Sequence, residues 1–167
     1  ENGWWKTLVG DHKTVDTTRF TVLCFNIPGN GFDGHFIHNY ENFTTKDIAK
    51  IFLEGLSALK ITTLYAMIGG SLGGAIGWEM LAIKKDLAER FVPIACDYKT
   101  SDWLYSQCLV QQFLLDIDQK PLEKARMHAM LCYRTPESLN LRFKNESDEA
   151  QQIRKSHDWL NFHGKSL

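Results

Sequence analysis

The sequence predicts an α/β fold: a mostly parallel sheet with its helices, followed by a helical region. Three observations predict it. Apolar, β-branched runs alternate with amphipathic runs in the order strand, helix, strand, helix, strand, the pattern of parallel βαβ units. No strand-like run follows Cys96. A glycine-rich turn, Gly69-Gly70-Ser71-Leu72-Gly73-Gly74, stands where the second strand should hand over to the second helix. The expected division is an α/β core over residues 1–97 and a helical region over 98–167.

Each element has its own reason. Arg19 to Phe25 (RFTVLCF) reads as a buried strand, closed by the turn chemistry of Asn26-Ile27-Pro28-Gly29-Asn30-Gly31. Residues 32–43 are aromatic and glycine-punctuated, an ordered loop. Thr44 stands three residues before Asp47, a capping-box signal. Ile48, Ile51, Phe52, Leu56 and Leu59 follow at helical spacing. Ile61 to Ile68 is the second strand, Gly74 to about Lys85 the second helix, and Phe91 to Cys96 the third strand. Further on, Trp103 to Leu114, Ala125 to Tyr133 and residues 148–160 read as three helices.

Composition narrows the function classes. The 167 residues are 44% hydrophobic and 23% charged, ordinary for a globular protein, with a net charge of −1. That balance gives no electrostatic case for nucleic acid or an anionic membrane surface as partner. No apolar run is long enough to span a bilayer, and Glu1-Asn2-Gly3-Trp4-Trp5 does not read as a signal peptide. The four cysteines, Cys24, Cys96, Cys108 and Cys132, form no CxxC pair. Cys24 and Cys96 fall in strand-like runs, so buried thiols in a reducing, cytoplasmic setting are expected. The six histidines are scattered, and no metal is expected.

Gly69-x-Ser71-x-Gly73 is a nucleophile-elbow pattern. It needs a strand-to-helix turn so tight that the serine adopts a strained backbone. Small neighbours make room for that turn. Such a turn exposes Oγ at the carboxyl edge of the sheet and aims the helix N-terminus at developing negative charge. The Leu72 N–H would then be one oxyanion donor. A phosphate-cradling loop would want GxxxxGK[ST] or GxGxxG, and the glycine spacing here fits neither.

The turn resembles the elbow of the homoserine O-acetyltransferases, within the α/β-hydrolase superfamily. That family typically carries glycine before the serine and methionine after it; Leu72 departs from it. The likeness continues on both sides. Gly3-Trp4-Trp5, Leu8-Val9-Gly10 and Asp16-Thr17-x-Arg19-Phe20 are similar to the family's approach to a core strand, and Asn26-x-x-Gly29 to the turn after it. Ala125-Arg126, Cys132-Tyr133-Arg134-Thr135 and Leu141-Arg142-Phe143 are similar to its lid signature.

The resemblance implies an α/β-hydrolase-type sheet, partly represented, with a helical lid. It implies acyl transfer from acetyl-CoA, or succinyl-CoA, to the hydroxyl of homoserine in methionine biosynthesis. No permanently bound cofactor is implied. Ser71 would be the nucleophile, and Arg126 and Tyr133 would bind the amino-acid substrate. A guanidinium is the natural partner of a carboxylate. A homodimer through lid helices is implied as well.

A serine of this kind needs a base and an orienting acid, which in this superfamily follow on loops after later strands. No strand is expected after Cys96 to carry them. His128 reads as a helix surface or packing residue. His157-Asp158 is rejected as the catalytic histidine because its neighbours are similar to the last lid helix, and His163 lies in a segment similar to the lid's exit. The sequence is therefore expected to be a partial one, lacking the first strands and the acid and histidine, inactive alone and completed by further polypeptide. Two other readings stand beside acyl transfer to homoserine: a serine esterase or thioesterase of the same fold, and a non-catalytic piece acting in assembly.

Overall fold

A computed structural model describes residues 3–117, 119–148 and 153–166. The chain divides into two compact units, Glu1–Tyr98 and Lys99–Leu167.

The first unit opens with a short parallel pair, β1 (Val9–Gly10) and β2 (Val15–Asp16). Helix α1 (Thr45–Ala58) starts where the sequence places it. The Thr44 Oγ1 accepts the Asp47 N–H, and the Asp47 carboxylate accepts the Thr44 N–H, a complete capping box. Lys60, at φ 58°, turns the chain out of the helix. Then come β3 (Met67–Gly70), α2 (Leu72–Ile83) and β4 (Phe91–Ile94). β3 and β4 pair in parallel, Met67 with Phe91 through Gly70 with Ile94, and α2 is the crossover between them. A bridge between Leu64 and Ala88 lengthens the ladder at its start. Ala49 and Leu56 of α1, Ile76 and Met80 of α2, and Leu87 form the buried core. Apolar faces from two helices meet there, and Phe25 and Phe52 stack at its margin with centroids 4.8 Å apart.

Residues 19–25, expected as a buried strand, have no ladder partner among the described residues. The segment is held at its ends. Phe20 stacks on Tyr65, and Phe25 lies against Phe52 and Gly55. Between them Val22, Leu23 and Cys24 are exposed. β-branched composition signals fit to a pleated surface, and it makes a strand only where a neighbour supplies the ladder. The expectation of a buried Cys24 fails with it. All four cysteines are free thiols; Cys108 and Cys132 are exposed as well, and Cys96 is half-buried. The second and third strands are shorter than expected. Residues 61–63 belong to the exit from α1, and Ala95, at φ 49°, ends β4.

The second unit is helical: α3 (Asp102–Leu115), α4 (Pro121–Cys132), α5 (Pro136–Phe143) and α6 (Lys155–Lys165). A two-residue antiparallel pair, β5 (Ser147–Asp148) and β6 (Ile153–Arg154), precedes α6. α4 packs against α3 and α6. The sequence reading passed over α5, whose start is nonetheless signalled. Thr135 caps it by accepting the Ser138 N–H, with Pro136 in the first turn. The helix expected over 148–160 lies at 155–165, because residues 147–148 and 153–154 pair as strands. Among the described residues no helix is long and apolar enough to cross a membrane. None of their His, Cys, Asp and Glu side chains gather in threes that could hold a metal.

Candidate active site

β3 ends at Gly70 and α2 begins at Leu72, so Ser71 alone makes the turn. Its backbone sits at φ 49°, ψ −117°. A side chain with a Cβ rarely occupies that region, at a cost of order 1–3 kcal/mol. The surroundings impose it. The Ser71 N–H donates to the Ile94 carbonyl at 2.9 Å, continuing the parallel ladder one residue past β3. The Ser71 carbonyl accepts the Ala75 N–H at 3.1 Å, already inside the helix. One residue therefore serves a strand on its nitrogen side and a helix on its carbonyl side.

The glycines are unequal in this turn. A Cβ on Gly69 would come within 2.5 Å of the Gly73 carbonyl group, and one on Gly74 within 2.7 Å of the Cys96 Cβ. Those two let α2 close on the sheet. A Cβ on Gly73 would meet nothing within 4 Å, and one on Gly70 only the Trp5 indole at 3.7 Å. Further along α2, Gly77 leaves room for the Phe91 ring. Burial, with a smaller push from Asp97, raises the pKa of the Cys96 thiol beside Gly74.

Ser71 is exposed. Leu72 is the first residue of α2, where helix geometry leaves N–H groups without an intrahelical acceptor and the helix dipole is positive. A hydroxyl and an N–H at the positive end of a helix thus stand on adjacent residues, an arrangement that can serve acyl transfer. Among the described residues of its own unit, no histidine bonds Ser71. Of the histidines there, His12 faces Asp16 and His35 faces Asp33, at 3.9 and 3.6 Å, and neither they nor His38 bonds Ser71.

In the second unit, Arg126 is half-buried on α4, and Tyr133 is the exposed residue that ends it. They stand about two helical turns apart, so they share a side of α4. Among the described residues neither side chain has a hydrogen-bond or ion-pair partner. His128 packs toward α3, its Nδ1 3.1 Å from the Gln111 amide nitrogen. His163 meets Trp159 edge to face at 4.9 Å, and His157 is exposed. The sequence reading missed the group around Trp159: Phe143 packs on it, and the Arg134 and Arg142 guanidiniums lie over it at 6.0 and 5.7 Å. The signal is a set of aromatic and arginine residues on α5, on α6 and on the turn after α4, which periodicity does not connect.

A strained serine between a parallel strand and a helix, backed by glycines at close approach, defines the nucleophile-elbow class of fold. A family model described as alpha/beta hydrolase fold matches residues 2–118, and the chain belongs to that family. Within it, the likeness in sequence is to homoserine O-acetyltransferases. The one from Chloroherpeton thalassium is 30% identical over 190 residues, covering 98% of this chain and 50% of its own. Among solved structures, esterase E22 superposes with a TM-score of 0.72 at 18% identity, covering 98% of this chain and 56% of its own. A homoserine O-acetyltransferase from Bacillus anthracis gives 0.70 at 16%, covering 98% and 54%. Those two show the shared fold. The chain spans about half the length of the curated relatives it matches.

Proposed function

We propose that this chain carries the nucleophile and the acceptor-binding residues of an acyltransferase that moves an acetyl, or other short acyl, group from acyl-CoA to the hydroxyl of homoserine. The backbone of Ser71 is the observation that carries the reading, with the kinship to homoserine O-acetyltransferases choosing among the chemistries the fold can host. In the first half-reaction the Ser71 hydroxyl gives its proton to a base and attacks the thioester carbonyl. The oxyanion rests on the Leu72 N–H, the C–S bond breaks, and CoA leaves as its thiol. In the second, the homoserine hydroxyl attacks the acyl-serine, and Ser71 regains its proton. Arg126 binds the acceptor's carboxylate, and Tyr133 contributes to the same recognition; both side chains are unengaged within the described residues. The reading includes no metal and no resident cofactor. It places the protein in methionine biosynthesis in the cytoplasm. Exposed Trp103, Tyr105 and Phe113 on α3 support a homodimer.

The test is to incubate the full-length protein with acetyl-CoA and map the modification by mass spectrometry. The acetyl group is expected on Ser71, with CoA released and homoserine discharging it. An acetyl group retained at the same level in Ser71→Ala protein overturns the assignment. Discharge to water at a rate that homoserine does not change makes the protein an esterase or thioesterase instead.

A further inference from the structure

The geometry points to a second binding element on the first unit, a cradle for the adenine ring of the acyl donor formed by the loop over residues 28–40. It rests on the acyl-CoA reading above. The loop is a built structure. Asn30 and Phe36 bridge in antiparallel fashion, the Gly31 N–H donates to the His35 carbonyl, and the Ile37 N–H donates to the Gly29 carbonyl. Gly29 and Gly31, at φ 74° and 80°, let the Ile37 and Phe36 side chains lie directly on the backbone. A Cβ on Gly31 would fall 2.4 Å from the Phe36 ring, so that ring has a fixed seat. Beside it opens a cavity of about 540 Å³ lined by Pro28, Asn30, Phe36, Ile37, His38 and Tyr40, among others.

Its chemistry selects a flat, nitrogen-bearing ring. Phe36 and Tyr40 are 69% and 74% exposed, large aromatic faces left in water at the rim of a cavity. Asn30 is oriented because its Oδ1 accepts the Phe32 N–H at 3.0 Å. The Asn30 Nδ2 is therefore the group left to donate, and a ring nitrogen is a fitting acceptor. Stacking on aromatic side chains is how proteins hold nucleobases irrespective of the phosphate.

Its position suits the donor. α1 and α2 pack side by side. α1 ends just before the Leu64–Ala88 bridge that starts the ladder, and α2 departs from the ladder's far end. Both helices therefore run back from the carboxyl edge of the sheet. The chain passes from the loop through Tyr40–Asn42 to the start of α1, and the Ser71 turn enters the start of α2 at that edge. An extended donor can rest its base on the loop and present its thioester at the serine.

The experiment compares acetyl-CoA with acetyl-pantetheine, which has the thioester but no nucleotide, in the full-length protein. Phe36→Leu and Tyr40→Leu are expected to lower the preference, in kcat/KM, for acetyl-CoA over acetyl-pantetheine by roughly ten-fold each. The adenosine bisphosphate head of CoA, added alone, is expected to inhibit the unaltered protein competitively with acetyl-CoA and to inhibit both variants about ten-fold more weakly. An unchanged preference overturns the cradle. So does a loss of thermal stability with no change in preference, since the rings would then be packing against polypeptide. If the unaltered protein uses neither thioester, the acyl-CoA reading fails, and direct binding of the adenosine bisphosphate by calorimetry decides the cradle separately.

Discussion

Ser71 stands in a backbone region that glycine enters freely and serine does not. On the proposed reading, function and stability are opposed at that residue. Ser71→Gly is expected to abolish acyl-enzyme formation while raising stability by about 1 kcal/mol, the relieved strain less the extra freedom of glycine in the unfolded chain. Urea titration of the variant beside the parent protein checks it; a destabilised Ser71→Gly would mean that the turn carries no strain. The neighbouring glycines separate in the same assay. Gly74→Ala forces a methyl against the Cys96 Cβ and is expected to cost about 1–3 kcal/mol. Gly73→Ala meets nothing and gains helix propensity, so it should be neutral or stabilising by up to about 1 kcal/mol. Arg126→Ala is expected to raise KM for homoserine roughly ten- to hundred-fold and leave KM for acetyl-CoA nearly unaltered, the loss of a charge-assisted hydrogen bond. Equal effects on both substrates in steady-state kinetics would remove Arg126 from the acceptor site.

Helix α1 shows how far an element can be read from its sequence. Thr44, Asp47 and the apolar spacing from Ile48 to Leu59 mark its start and its end to within a residue; of the expected face Ile48, Phe52 and Leu56 pack at the core, while Ile51 and Leu59 are exposed and Ala49 is buried instead. The same cap makes it sensitive to acid. Asp47 accepts hydrogen bonds from the Thr44 side chain and N–H, with Lys50 adding to them, and its pKa falls from 3.8 to about 2. A carboxyl depressed on folding stabilises the folded state above its ordinary pKa, and that contribution disappears as pH falls through about 2. Thr44→Ala is expected to cost about 1 kcal/mol at neutral pH. In circular dichroism melts the offset between the two proteins should narrow as pH falls toward 2 and the Asp47 carboxylate bonds are lost, leaving the part due to Thr44 Oγ1 accepting the Asp47 N–H; an offset that pH does not change would remove the Asp47 carboxylate from the cap. Strands were less legible. The four-residue strands β3 and β4 are defined by their mutual ladder, and the run at 19–25, with better strand composition than either, lacks one. Local chemistry specifies caps and turns, whereas a strand is specified by a neighbour that the run itself does not name. The elbow was legible because a single backbone requirement at Ser71 falls on adjacent glycines. Arg126 and Tyr133 stand out only through kinship, since nothing in their spacing separates a ligand-binding arginine from a solvated one.

For the molecule as a whole, the hydroxyl of Ser71 and the groups that could activate it are the governing matter. The unit that contains Ser71 brings no histidine into hydrogen bonding with it. A serine hydroxyl at neutral pH is a weak nucleophile without a positioned base. These 167 residues by themselves are therefore expected to turn over acetyl-CoA and homoserine at a negligible rate, and polypeptide corresponding to the rest of the relatives is expected to restore it. Measuring turnover for the segment alone and within the full-length protein decides this. Robust activity from the segment would direct attention to His128, His157 and His163.

The parallel pairing of β3 with β4 has a kinetic consequence. Met67 meets Phe91 across a connection that holds little besides α2, and the buried side chains from Ala49 to Leu87 all fall in the same stretch of chain. Most parallel sheets are slow to assemble because their strands are distant in sequence, but here the closing loop is short and helical. Refolding is expected to nucleate on α1, β3, α2 and β4, so Met80→Ala should slow folding more than it speeds unfolding, and amide protons of β3 should become protected from exchange before those of β1 or of the helices beyond Tyr98.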